Sequence, residues 1–379
     1  MPPLFDRIRR LIDSRRRRLV EPPSLSIPEY VASFPARWQV THPAAQLSWP
    51  TPCRIGSRRL RAEFDLPTES AELGVLSITG GRVFGVHGWV LGVNGAVLPE
   101  LSWYGGPSER ILLPSTLPPP RRLDGTCVSL VSDWSCRNYA HFLLDALGRL
   151  AVLESAGIAL SEVDHVYCPT PPSAAAASLL DRFGIPAEKR VFAAPGLLVA
   201  AEHLLVPSRP ATSLTYPAWL PAFLRRPVRP APKSASTERR LYVSRLGFER
   251  RSSSEPALER VLRERDFEVY EGSERPTQPE DFDEATFVVG AHGAGLANLA
   301  FCRAGTRVLE IVPTDNAHPF YYSLSVAAGL DYAYMVGQSV VDRPLDVFGP
   351  SPYDFELDAE ELEAAIDEWD ATSQIPVRP

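Results

Sequence analysis

The 379-residue sequence lacks the cysteine pattern of a stapled or zinc-bound fold. Its five cysteines, Cys53, Cys127, Cys136, Cys168 and Cys302, contain no CxxC pair and no flanking histidine cluster. An odd, scattered set of this kind reads as reduced thiols in a cytosolic protein. No run of 18 apolar residues is present, which excludes a spanning helix, and the start shows no apolar core or small-residue cleavage site of a secretion signal. The positive balance of a nucleic-acid binder is missing too, because the formal charge is −7. So are the GxSxG elbow of serine hydrolases, the HExxH of zinc proteases, and the GxGxxG and GxxxxGK[ST] glycine patterns. What the chain does have is 45% apolar and 22% charged residues over a length that suits two domains.

The charge is uneven. Residues 1–20 hold seven arginines against Asp6 and Asp13, which leaves the remainder at about −12. Leu4, Phe5, Ile8, Leu11 and Ile12 fall at helical spacing beside Arg7, Arg9, Arg10 and Arg15 to Arg18. Such a segment suits peripheral contact with an anionic membrane surface at the inner face, and equally suits a solvated basic extension. Both readings stay open.

The order of patterns predicts an N-terminal domain over 21–228. It carries a small β-meander at 60–115, where short apolar stretches alternate with Gly pairs and Asn94-Gly95 favours a tight turn. YAHFLLDALGRLAVLESAG reads as that domain's first long helix, with a second helix near 173–184. The stretch 225–240 is dense in Pro and Arg, so 229–240 reads as a linker about which the halves close. In 241–345 the apolar strands LYVS, FEVY, FVVG, VLEIV and YAYMV recur every 20 to 26 residues. They are continuously apolar rather than alternating, which predicts a parallel sheet covered on both faces. Ser254 before Glu255-Pro256 and a capping box from Thr277 to Glu280 mark two of the intervening helices. Residues 346–379 hold the last helix, LDAEELEAAIDEW, and a tail.

Four features carry candidate chemistry. In FVVGAHGAGLANLAF a buried strand runs into His292-Gly293-Ala294-Gly295 and then a helix, a junction whose backbone N–H groups and dipole suit a phosphate. Tyr242-Val243-Ser244-Arg245 puts an arginine at a strand's carboxyl end, followed by Arg250 and Arg251, and guanidinium groups suit diphosphates. A solvated loop explains at least one of the latter pair equally well. Glu310, inside the apolar VLEIV, needs partners that a ribose or an internal ion pair with an arginine would supply. In WSCRNYAHFLLD, residues Asn138, His141 and Asp145 fall at i, i+3 and i+7 on one helix face. A histidine held by a carboxylate one turn on is a general base for a sugar hydroxyl, although Asp145 can equally pair with Arg149. Asp281-Phe282-Asp283 has the form of a metal-binding DxD, but it falls inside the helix opened by Thr277, so no metal is expected there.

Together, W-x3-NY-x-H-x-LLD at 134–145, YVSR at 242–245, RR-x3-E at 250–255, HGAGLANLAF at 292–301 and GTRVLEIVP at 305–313 resemble the family 61 glycosyltransferases. The resemblance covers about 128–335. Phe142, Gly148 and Ser254 depart from the family's usual Trp, Pro and Asn. It implies an α/β fold of GT-B type, two facing Rossmann-like domains, with a nucleotide-sugar donor, most simply a UDP-sugar, in the C-terminal one. It also implies inversion, no metal and no cofactor, and a glycan or glycolipid acceptor in capsule or other polysaccharide biosynthesis. On that basis Arg245, Arg250, Arg251, His292, Gly293, Ala294, Gly295, Asn298 and Glu310 are donor-side candidates. Trp134, Asn138 and Tyr139 are acceptor-side candidates, and His141 with Asp145 is the catalytic pair, with Asp145 or Asp133 as the fallback base. Two alternatives stay open: a nucleotide-sugar epimerase or hydrolase on the same frame, and a non-catalytic scaffold in which Arg245 and Glu310 pair and fill the cleft.

Overall fold

The computed structural model describes residues 18–102, 111–211, 215–228, 238–272, 274–316, 318–341 and 353–372. Nearly all of the basic start, the linker core at 229–237 and residues 342–352 lie outside these. Two twisted sheets organise the chain. In the first, Arg190–Phe192, His165–Cys168, Arg121–Ser129 and Leu198–Pro207 are neighbours in that order and run parallel. Leu73–Thr79 and Ala36–His42 extend the sheet antiparallel.

The expected meander is present in its strands and in the antiparallel hairpin of Arg82–Phe84 with Trp89–Leu91, but its first strand pairs elsewhere. Leu73–Thr79 and Arg82–Phe84 follow one another, yet each pairs with a different half of Leu198–Pro207 rather than with the other. A ten-residue partner strand is long enough to dock both, so the meander is absorbed into the first sheet. The Asn94-Gly95 turn forms as expected, with Gly95 at φ +85° and the Asn94 side chain accepting from the Ala96 N–H at 3.1 Å.

The second sheet confirms the periodic apolar strands. Arg239–Val243, Phe267–Tyr270, Ala285–Ala291, Arg307–Pro313 and Asp331–Ser339 are all parallel, and side by side they run 2-1-3-4-5 when numbered along the chain. Continuous burial of Val288, Val289, Leu309 and Ile311 explains why no alternation is visible in the sequence. Arg239 and Arg240, read as linker, already belong to the first of these strands. Cys53–Arg54, far upstream, pairs with Asp331–Ser339, so early residues complete the later sheet. The helix Ala359–Thr372 buries Leu362, Ile366 and Trp369 in the core cluster that includes Leu258 and Leu262 of helix Glu255–Arg263.

Both marked helices start where expected, but neither Ser254 nor Thr277 caps with its side chain, and the Thr277 hydroxyl donates to Asp281 instead. The carboxylates of the DxD are likewise engaged: Asp281 with Arg239 and Tyr270, Asp283 with Arg225 and Arg303. Among the described residues no helix is long and apolar enough to cross a membrane.

The halves share a core. Leu143, Leu147, Leu220 and Leu224 from the first half and Leu296, Ala300, Phe301 and Tyr322 from the second are buried in one cluster. Fully burying a side chain of this size contributes roughly 1.5–3 kcal/mol, so hinging the halves widely apart would expose many such contributions at once.

Candidate active site

In an open parallel sheet, a crevice opens where neighbouring strands send their connections to opposite faces. With the order 2-1-3-4-5 that point lies between Arg239–Val243 and Ala285–Ala291. A cavity of about 480 Å³ occupies it. Arg245, Arg250, Gly293, Ala294 and Gly295 line it from the second half, and Asn138 and Tyr139 from the first. Seven residues from three distant sequence motifs thus meet in one cleft.

The glycine turn works by close approach. Gly293 has extended backbone, φ 176°, which any residue adopts. A Cβ there, however, would overlap the Arg245 guanidinium, so the missing side chain is what lets the arginine lie across the turn. Arg245 donates through Nε to the Glu249 carbonyl at 3.0 Å and through Nη2 to the same oxygen. Burial, and secondarily the neighbouring Arg250, push its guanidinium down to about 10. Two cations crowded in a half-desolvated crevice favour an incoming anion.

Glu255, read from the sequence only as a helix start and a motif letter, supports the loop that carries them. It is buried, and its carboxylate accepts from the Tyr242 hydroxyl at 2.7 Å and from the backbone N–H groups of Arg245 at 3.2 Å and Ser252 at 3.3 Å. Arg250 sits in the left-handed region at φ +60°, a conformation costing a non-glycine roughly 1–2 kcal/mol, and strain of this kind gathers at functional sites. Next to it, Arg251 turns away from the cavity. Its side chain is half-exposed near Asp354, 3.7 Å away, and its carbonyl accepts from the Phe355 N–H. Arg251 therefore anchors the loop to the C-terminal segment, and the charge complementarity of Asp354 explains why it is not on the cleft wall.

Two further donor-side candidates lie beneath the surface. His292 and Glu310 are buried and joined, Nδ1 to Oε1, at 2.6 Å, while the Tyr332 hydroxyl donates to Oε2 at 2.6 Å. Glu310 is 2% exposed and lies outside the cavity lining, so a ribose does not reach it; its internal partners are a histidine and a tyrosine, not an arginine. Burial lowers the His292 pKa against the pull of Glu310, which leaves Nδ1–H donating to the carboxylate under the phosphate turn. Asn298 bridges the halves, accepting from the Tyr139 hydroxyl at 2.6 Å and donating to the Gly295 carbonyl at 3.1 Å.

The helix that follows the lining residues Asn138 and Tyr139 is not a regular α-helix, and its His141 and Asp145 lie outside the cavity lining. His141–Leu147 is π-wound and gives way at Gly148 to the α-helix Arg149–Ser155. Wider winding brings positions four apart nearly onto one line, and His141 Nδ1 lies 2.6 Å from Asp145 Oδ2. The competing pair with Arg149 does not form. Arg149 is fully buried and donates to the carbonyls of Ser129 and Leu101, with its pKa pushed down to about 9 by burial and by Arg209. Asn138 caps the helix start, its side chain accepting from the Ala140 N–H at 2.9 Å.

Trp134 stands exposed at φ +66°, with the Arg137 guanidinium 3.7 Å over its ring. Asp133, the fallback base, is bound to His87 Nδ1 at 2.5 Å. Sequence reading missed this second histidine–carboxylate pair because 46 positions separate its members.

Residues 139–309 match the family model described as Glycosyltransferase 61. Over that span the chain is similar to glycosyltransferase family 61. The match begins at Tyr139 on one wall of the cleft and runs through Arg245, Arg250 and the His292–Gly295 turn on the other, so the matched region is the cavity's frame. Glycosyl transfer is the activity this similarity supports. No curated protein matches the sequence significantly. Gly148, which stands where family 61 usually has Pro, packs so tightly that a Cβ would overlap the Leu144 carbonyl.

Proposed function

We propose that the protein is an inverting, metal-independent glycosyltransferase that moves a sugar from a nucleotide diphosphate, most simply UDP, to a hydroxyl of a glycan or glycolipid. The observation that carries this reading is the switch-point crevice, where Arg245, Arg250 and the Gly293–Gly295 turn face Asn138 and Tyr139 of the other half. Arg245, Arg250 and the turn's backbone N–H groups neutralise the departing diphosphate, the role a divalent ion plays elsewhere. His292 and Glu310 brace the turn from below.

Asp145 is only 1% exposed, whereas the His141 side chain keeps 18% of its surface accessible. His141 is therefore the member that meets an acceptor, and Asp145, bound at Nδ1, orients the ring so that Nε2 receives the proton. As the acceptor oxygen bonds to the anomeric carbon from the face opposite the nucleotide, the carbon–oxygen bond to the β-phosphate breaks and its electron pair leaves on the diphosphate. The scaffold alternative required Arg245 and Glu310 to pair, and each has other partners. Calorimetry of UDP, GDP, CDP and dTDP in EDTA, with wild type and Arg245→Ala, tests the reading. One nucleotide binding tightly to wild type only is the expected result; no binding with or without magnesium overturns it.

A further inference from the structure

The same cavity extends away from the arginines to the carboxyl end of Phe267–Tyr270, where Glu271, Gly272 and Gln278 line it. Gln278 is 4% exposed. Its amide Nε2 donates to the Gly272 carbonyl, while its Oε1 is buried without a hydrogen-bond partner among the described residues. The amide cannot turn over to relieve this, because the exchange would set oxygen against the Gly272 carbonyl oxygen. The orientation of the amide is thus fixed in a residue of the cavity lining, and a buried acceptor left unmet favours any ligand donor that reaches it.

Distance says what meets it. The strands Phe267–Tyr270, Arg239–Val243 and Ala285–Ala291, which lead into Gly272, Ser244 and His292, are adjacent in that order. Two strand spacings, about 10 Å, separate the Gln278 end from the glycine turn. If the diphosphate lies on Arg245 and Gly293, a nucleotide reaching along the crevice across its ribose brings its base to Gln278.

We infer that Gln278 is a specificity-determining residue that reads a ring N–H on the nucleobase, the N3–H of uracil or the corresponding N1–H of guanine. Cytosine, with a lone pair at N3, sets acceptor against acceptor and is disfavoured. This inference rests on the nucleotide-sugar reading and deepens it by giving the nucleotide a direction in the cleft.

The test compares UDP with N3-methyl-UDP, GDP with N1-methyl-GDP, and CDP, by calorimetry on wild type and Gln278→Leu. For the base that is used, methylation is expected to weaken wild-type binding on the order of tenfold or more. CDP binds more weakly than the preferred nucleotide, and in Gln278→Leu the penalty for methylation collapses to within about twofold. Should the leucine variant fail to fold, Gln278→Asn, which withdraws the oxygen by one methylene, takes its place. Equal binding of methylated and unmethylated nucleotide to wild type, or an equal penalty in the variant, overturns the Gln278 role while the donor site stands. Absence of any nucleotide binding to wild type overturns the donor site itself, and this inference with it.

Discussion

Replacing Arg245 by methionine separates an anion site from a structural ion pair. The guanidinium is held at about 10 rather than 12.5 chiefly by burial, and its side-chain hydrogen bonds go to a backbone carbonyl instead of a carboxylate. At about 1.4 kcal/mol per pH unit, the charged form is penalised by at most about 3.5 kcal/mol, and water entering the crevice reduces this to about 1 kcal/mol. Arg245→Met relieves that penalty, keeps most of the stem's packing and loses roughly 1 kcal/mol of hydrogen bonding to Glu249. The two changes offset one another, so Tm is expected to stay within about 3 °C of wild type. Nucleotide affinity behaves differently. A charged hydrogen bond to a diphosphate is worth roughly 1.5–3 kcal/mol, so Kd rises about tenfold to a hundredfold. Differential scanning calorimetry and titration with whichever nucleotide wild type binds measure both. A variant that loses many degrees while binding the nucleotide unchanged would refute the reasoning, because Arg245 would then be holding the fold and not the ligand.

Three further outcomes are expected. Gly293→Ala, whose backbone tolerates alanine, pushes the Arg245 guanidinium off the turn and weakens nucleotide binding about as much as Arg245→Ala, while circular dichroism and Tm stay near wild type; unchanged affinity would show that the arginine does not need that place. His141→Gln keeps an amide donor toward Asp145, avoiding the roughly 3–5 kcal/mol cost of stranding a buried carboxylate, and lowers turnover about a hundredfold or more with donor affinity kept; wild-type turnover in this variant removes His141 from the reaction. Because the lowered pKa of Arg245 leaves it charged below about 10 and neutral above, and the anion prefers the charged form, wild-type affinity for CDP, whose base does not titrate in this range, falls as pH rises from 8.5 toward 10.5. The same titration on Arg245→Met should be flat by comparison, and equal slopes would assign the pH effect elsewhere.

The expected elements and the observed ones differ where contacts are long-range. Periodic apolar strands from Leu241 onward were legible because the central ones, Ala285–Ala291 and Arg307–Pro313, are buried on both faces along consecutive residues. The Gly293 turn and Arg245 were legible because strand ends and glycines are local signals. The roles of Arg251 and Glu310 were not, since Asp354 is about a hundred residues from the first, and the second is satisfied by His292 and Tyr332 on neighbouring elements.

The sequence by itself determined the α/β class, the parallel second sheet, the order of the motifs and the chemical types that line the cleft. All of these depend on periodicity and composition along short stretches. Only the tertiary structure decided that the meander joins the first sheet, that Asp145 pairs with His141 and not with Arg149, and that an unmet Gln278 oxygen lies two strands from the phosphate turn. Each of those choices is a competition between partners of similar chemistry, and three-dimensional packing, which places one within hydrogen-bonding reach and the other outside it, settles the competition.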